Sequence, residues 1–81
     1  NGIALDLMGN IFFSDSNNCV IRKISKENGI INTIAGNGTK GYSGDNNLAL
    51  HSLLNFPFGI IFDSMQNLFI VDSKNCVIRV I

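Results

Sequence analysis

Hydrophobic residues along the first half of this chain come in short runs, rich in β-branched and aromatic residues and separated by turn residues. The runs cover residues 2–7, 11–15, 19–25 and 30–35. Short apolar runs bounded by Gly, Asn, Asp and Ser are typical of strands rather than helices. The pattern therefore predicts four consecutive strands joined by tight turns, with Gly9 and Asn10 supplying positive φ angles at the first turn.

The second half of the chain shows the same pattern in shorter form. Apolar runs cover residues 59–63, 67–72 and 76–81, and no fourth run follows. The second half therefore predicts three strands of the same meander.

The two halves are copies of one repeat. An offset of 57 residues aligns residues 2–24 with residues 59–81 without a gap, and 14 of the 23 aligned positions are identical. The identical pairs are Gly2/Gly59, Ile3/Ile60, Asp6/Asp63, Met8/Met65, Asn10/Asn67, Phe12/Phe69, Asp15/Asp72, Ser16/Ser73, Asn18/Asn75, Cys19/Cys76, Val20/Val77, Ile21/Ile78, Arg22/Arg79 and Ile24/Ile81. Self-similarity at this spacing indicates a solenoid, a propeller or an array.

Four-stranded meanders in tandem are the blades of a β-propeller. We therefore predict an all-β chain of four-stranded antiparallel propeller blades, with about one and three-quarter blades present. Residues 2–36 would form the first blade, residues 37–58 a connecting loop, and residues 59–81 a second blade without its fourth strand. A sandwich or small barrel also suits short strands, but it gives no reason for the matched positions.

The repeated residues resemble the NHL repeat. The resemblance covers residues 2–6, 9–12 and 15–23 of the first copy and residues 59–60, 63, 67–70, 72–73 and 75–79 of the second. It also covers residues 35–39, 41–45 and 54–57 of the connecting segment. It implies a propeller of about six blades that serves mostly as a protein-interaction scaffold. Some NHL proteins bind RNA, and one branch is a metal-dependent lyase. Cys19 and Cys76 stand where the motif often has His or Arg, which removes a histidine ligand from that position.

Repeated polar residues are the first candidates for chemistry. They are Asp6, Asn10, Asp15, Asn18 and Arg22, with their counterparts Asp63, Asn67, Asp72, Asn75 and Arg79. The aspartates stand at strand ends, where a carboxylate caps backbone N–H groups and holds a turn. The arginines can pair with carboxylates of the same or the next blade. We therefore interpret these residues as structural.

The connecting loop is the part of the repeat that blade geometry needs least, so partner contacts are expected there. The candidate partner-binding residues are Tyr42, Asp45, His51, Phe56 and Phe58. Residues 46–53 are predicted to form a short capped helix. Gly36, Gly38 and Gly41 spell G-x-G-x-x-G, but residues 42–45 continue as loop, which argues against a nucleotide site.

Composition narrows the function classes. The chain has 81 residues, with six basic and six acidic side chains and no net charge, which argues against a nucleic-acid surface. The apolar runs are too short to span a membrane, and no secretory signal opens the sequence. Two cysteines are too few for a disulfide framework and predict free thiols. These features favour the cytoplasm, although the compartment stays open.

No catalytic, metal or cofactor site is expected, because His51 is the only histidine and neither cysteine has C-x-x-C spacing. We predict a non-catalytic interaction scaffold that binds a protein or peptide. Other blades of the same propeller, in cis or by homo-oligomerisation, would be further partners. The alternatives are a piece of a metal-dependent lyase propeller and an RNA-binding NHL propeller.

Overall fold

The computed structural model describes residues 2–38, 41 and 53–81, which form two antiparallel sheets. The first sheet contains β1 (Ile3–Leu5), β2 (Ile11–Asp15), β3 (Val20–Ile24) and β4 (Ile31–Ala35) in sequential order. The second contains β5 (Pro57–Phe62), β6 (Leu68–Asp72) and β7 (Val77–Val80), also in order. Short 3-10 turns at Ser16–Asn18 and Ser73–Asn75 precede β3 and β7. The predicted all-β architecture of propeller blades is confirmed.

Cysteine at the end of each 3-10 turn shortens the following strand. The predicted runs begin at Cys19 and Cys76, but both residues adopt the left-handed conformation, with φ of 58° and 57°. The N–H of each donates to the carbonyl oxygen at the start of its turn, Ser16 or Ser73. A residue in this conformation leaves the extended backbone of a strand. Strands β3 and β7 therefore start one residue later than the pattern predicts.

Each hairpin between the first two strands of a sheet has a positive φ at one equivalent position. The prediction that Asn10 also adopts a positive φ was wrong. Gly9 has a φ of 85°, and its counterpart Gln66 has a φ of 64°. Asn10 is not among the described residues with positive φ. Its side chain instead donates to Asp6 at 2.9 Å and accepts the N–H of Lys26 at 3.0 Å. Asn10 therefore holds the turn through its amide group.

The two sheets pack face to face around one apolar core. Phe12 and Phe62 meet edge to face with ring centroids 4.9 Å apart. The first sheet contributes Phe12, Ile21 and Ala35, the connecting segment contributes Leu54, and the second sheet contributes Ile60, Leu68 and Ile70. Fully burying an aliphatic or aromatic side chain of this size contributes about 1.5–3 kcal/mol. The contact between sheets is thus the main hydrophobic core.

Strand β1 approaches β5 closely at the edge of this core. The N–H of Gly2 donates to the Phe58 carbonyl oxygen at 3.0 Å, and the hydroxyl of Ser14 donates to the same oxygen at 2.6 Å. A Cβ atom on Gly2 would collide with that oxygen and lie 2.9 Å from the Ile60 nitrogen. The approach therefore requires glycine at position 2.

The outer faces of both sheets stay open. Ile3 of the first sheet is 68% exposed, and Ile78 of the second sheet is also 68% exposed. Ile3 is the repeat counterpart of Ile60, which is only 9% exposed in the core. The open face of the first sheet thus carries the repeat counterparts of residues that the second sheet buries in the core.

Substitution of Gly2 by alanine tests the close approach. We expect Gly2→Ala to lower the free energy of unfolding by about 1–3 kcal/mol, because the backbone of β5 must move away. Its repeat counterpart is the matched control, since a Cβ on Gly59 would lie 3.5 Å from Val71, an ordinary contact. Gly59→Ala should change stability by about 0.5 kcal/mol or less. Equal effects of the two variants in urea denaturation would show that β1 does not approach β5 as described.

Candidate binding surface at the connecting end

One end of the two sheets gathers the 3-10 turns and the segment that leads into β5. We call this the connecting end, defined by residues 16–19, 53–58 and 73–76. The Gly41 N–H donates to the Leu54 carbonyl oxygen at 3.0 Å, which joins the two described parts of the connecting segment. The hairpins 6–10 and 63–67 lie at the opposite end, because the strands alternate in direction.

A buried carboxylate organises the connecting end. Asp72 ends β6 and its side chain is 0% exposed. Its Oδ1 accepts the Asn55 N–H at 2.7 Å, while its Oδ2 accepts Asn75 Nδ2 at 2.8 Å and an Arg79 terminal amino group at 3.1 Å. A buried ion pair is tolerated only when its remaining hydrogen-bonding capacity is used. The connecting segment supplies one of these bonds.

Arg79 and Asn75 extend the same network to the main chain. Arg79 donates to the Leu53 carbonyl oxygen at 2.8 Å, and Asn75 Nδ2 donates to the Gly41 carbonyl oxygen at 2.7 Å. Together with the Asp72 bond to Asn55, three side chains bind three main-chain groups of the connecting segment. These repeated residues thus fix the path of the chain into β5.

The equivalent residues of the first sheet are brought together but are more exposed. Arg22 Nε donates to Asp15 Oδ2 at 2.9 Å, and Asn18 Nδ2 donates to the same oxygen at 2.9 Å. The side chains of Arg22 and Asp15 are 34% and 27% exposed. Within the described ranges, no main-chain group bonds to these three side chains. One motif therefore stands in two different surroundings.

Two of the predicted partner-binding residues lie at the connecting end. Phe56 has a φ of 55°, its carbonyl oxygen accepts the Ser73 hydroxyl at 2.6 Å, and Lys74 Nζ lies 5.7 Å from its ring. Phe58 is 51% exposed on β5. The other candidates, Tyr42, Asp45 and His51, lie outside the described residues, as does most of the predicted helix 46–53. The structure thus brings two aromatic residues to this surface.

The aspartates of the hairpins lie at the opposite end and bind their own turns. Asp6 Oδ1 accepts the N–H groups of Met8 and Asn10, both at 2.9 Å. The side-chain hydrogen bond from Asn10 is the largest influence that lowers the pKa of Asp6 below its ordinary value of 3.8. Asp63 is bound in the same way by Met65 and Asn67, and the Asn67 N–H is the main cause of its lowered pKa. Both carboxylates act within their hairpins.

Sequence reasoning missed the two serines that join the sheets. The side chains of Ser14 and Ser16 are buried, and their hydroxyls donate to the carbonyl oxygens of Phe58 and Pro57. Ser14 aligns with Val71 in the repeat, on the face that β2 turns to the second sheet. A polar residue at an inward strand position was the available signal, because such a group needs a buried partner.

Among residues 2–38, 41 and 53–81, no three His, Cys, Asp or Glu side chains are grouped so as to hold a metal ion. Nor does that part of the chain contain a helix with the length and hydropathy to cross a membrane. Cys19 and Cys76 are both free thiols, the first buried and the second exposed.

Two solved structures from Bacteroides thetaiotaomicron are similar to this chain. One is described as an auxiliary nutrient binding protein, with 31% identity over 98% of this chain and a TM-score of 0.77. The other is described as a structural genomics protein of unknown function, with 25% identity over 99% and a TM-score of 0.84. The chain spans 21% and 20% of their lengths, about a fifth of each. No family model and no curated protein matches.

The buried network at Asp72 predicts a large effect of its removal. Asp72→Ala would remove the buried carboxylate that Arg79, Asn75 and the Asn55 N–H bind, and we expect a loss of about 3–5 kcal/mol in unfolding free energy. Asp15→Ala, the matched change in the first sheet, removes a partly exposed pair and should cost about 1 kcal/mol or less. Urea denaturation followed by circular dichroism measures both. Similar losses in the two variants would contradict the difference in burial.

Acid should weaken the hairpins through Asp6 and Asp63. The folded pKa of each lies below 3.8, so the stability that each carboxylate contributes is present above pH 3.8. It is lost as the pH falls below 3.8 through the folded pKa values. The double variant Asp6→Asn with Asp63→Asn should show a flatter dependence of unfolding free energy on pH in that range. Carboxyl resonances that titrate at or above 3.8 in NMR would oppose this.

Proposed function

We propose that this chain is part of a non-catalytic binding scaffold of NHL-type propeller blades, whose connecting end binds a protein or peptide. The observation that carries the proposal is the use of the repeated polar residues. The side chains of Asp72, Asn75 and Arg79 form hydrogen bonds with the main chain of the connecting segment. Side chains with such hydrogen bonds stabilise the shape of the connecting end.

The aromatic residues at the connecting end support a binding role. Half of the Phe58 side chain is exposed, although aromatic side chains gain much from burial. Phe56 is held beside Lys74 by bonds to the turn 73–75. Large aromatic side chains in a fixed position are the usual anchors of protein interfaces.

The solved structures add support for binding rather than catalysis, since one of them is described as nutrient binding. Its 31% identity makes binding of a nutrient the second candidate function. RNA binding has less support, because the six basic residues are balanced by six acidic ones.

The scaffold would contain further blades. We propose a ring of about six blades, supplied in cis or by association of copies, since the resemblance to the NHL repeat implies that number. The open faces around Ile3 and Ile78 support this, because large exposed apolar faces mark contact surfaces.

Selection of displayed random peptides on the folded chain tests the binding role. We expect enrichment of a common sequence motif whose affinity falls about tenfold or more in Phe58→Ala, because aromatic anchors carry much of the binding energy. Met65→Ala is the control, since Met65 is exposed in the hairpin 63–67 at the opposite end. Titration of a labelled selected peptide measures both affinities.

Three results would separate the candidates. Loss of affinity in Phe58→Ala alone supports the connecting end as the binding surface. Equal loss in Phe58→Ala and Met65→Ala places binding elsewhere. Failure to enrich any motif argues against peptide binding and leaves the nutrient as the candidate ligand.

A further inference from the structure

The first sheet carries a groove at the connecting end. It has a volume of about 460 Å³ and lies beside the partly exposed Asp15–Arg22 pair. Its lining residues are Asn18, Val20, Arg22, Thr33, Gly36, Asn37 and Gly38. The groove is open to solvent on the face of the first sheet that turns away from the second sheet.

The second sheet shows what the same motif binds. Asn75 and Arg79, the counterparts of Asn18 and Arg22, bind the carbonyl oxygens of Gly41 and Leu53. Asp72, the counterpart of Asp15, binds the N–H of Asn55. The second-sheet motif therefore binds a stretch of main chain in which one residue, Leu53, presents its carbonyl oxygen and the second residue after it, Asn55, presents its N–H.

The first sheet has the same groups available. Asp15 uses Oδ2 for Asn18 and Arg22, and Arg22 uses Nε for Asp15. In the part of the chain that the structure describes, Asp15 Oδ1 and the terminal amino groups of Arg22 make no hydrogen bond. In the second sheet it is Oδ1 of Asp72 and a terminal amino group of Arg79 that hold the connecting segment. Asp15 and Arg22 thus offer the same kinds of acceptor and donor atoms that Asp72 and Arg79 use to bind the connecting segment.

We propose that Asp15 and Arg22 bind the main chain of a connecting segment of the kind formed by residues 53–56, and that Asn18 lies beside it as Asn75 does in the second sheet. The occupant is a Leu-x-Asn-aromatic segment of a further repeat unit that packs on the open face of the first sheet. A second copy of this chain that packs on this face would not fill the groove with this segment, because its own residues 53–55 are bound by its Asp72 and Arg79.

The apolar surroundings agree with this occupant. Ile3, Leu5 and Ile11 are exposed on the open face of the first sheet. Their counterparts Ile60 and Leu68 are buried, and Phe62 packs against the same core. A repeat unit whose connecting segment binds in the groove would bury Ile3, Leu5 and Ile11 in the same manner. The inference rests on the further blades of the proposed function, and it names the contact by which one of them binds the first sheet.

A peptide of residues 53–58, Leu-Leu-Asn-Phe-Pro-Phe with blocked ends and a fluorophore, is the probe. Anisotropy titration with the intact chain should show saturable binding. The same peptide with a methyl group on the Asn main-chain nitrogen removes only the N–H meant for Asp15. We expect it to bind about tenfold more weakly or worse, because hydrogen bonds to charged groups are the stronger ones.

Protein variants complete the test. Arg22→Ala should weaken the unmodified peptide about tenfold or more, whereas Lys26→Ala, at the opposite end of the first sheet, should leave its affinity unchanged. The comparison of the two peptides uses the unaltered chain, so it stands even if Arg22→Ala fails to fold.

Light scattering across a concentration series distinguishes the rival occupant. A dimer that excludes the peptide would mean that a second copy covers the groove, and it would overturn the proposal. So would equal affinity of both peptides, or no binding at millimolar peptide. Loss of peptide binding in Arg22→Ala with normal affinity for a motif selected at Phe58 would separate the groove from the proposed function.

Discussion

The carboxylate of Asp72 is fully buried at the junction of the two sheets. The rest of the connecting end depends on the groups that form hydrogen bonds with this carboxylate. Three neighbours complete it: Arg79, Asn75 and the N–H of Asn55. Since an unpaired charge in such a place would be very costly, the chain that leads into β5 has little freedom of path. The position of Phe56 and the start of β5 follow from that path.

The same motif shows how surroundings decide what a set of residues does. Asp15, Asn18 and Arg22 repeat the identities of the second-sheet motif, yet their ion pair is about one-third exposed. The local backbone does not distinguish the two copies, because each motif spans a 3-10 turn that is followed by a left-handed cysteine. The difference comes from what packs on each sheet. One motif can thus be buried around the main chain in one repeat and stand partly exposed in the next.

The close contact between β1 and β5 adds a second constraint. Gly2 and Ser14 both bond to the carbonyl oxygen of Phe58, so the inner edges of the sheets are joined by polar bonds as well as by the apolar core. These bonds explain why the two copies differ at position 14, where the second copy has Val71 on its open face. Departures from exact repetition therefore mark the places where a sheet meets a particular neighbour.

The sequence by itself determined the strands and their order, because alternation and turn chemistry act over a few residues. The run over residues 11–15 matches β2 from end to end. Only the tertiary structure decided which copy of the motif is buried, where Ser14 finds its partner, and that Cys19 and Cys76 leave the strand. Those features depend on contacts between residues far apart in the chain, such as Arg79 with Leu53, and periodicity carries no record of such contacts.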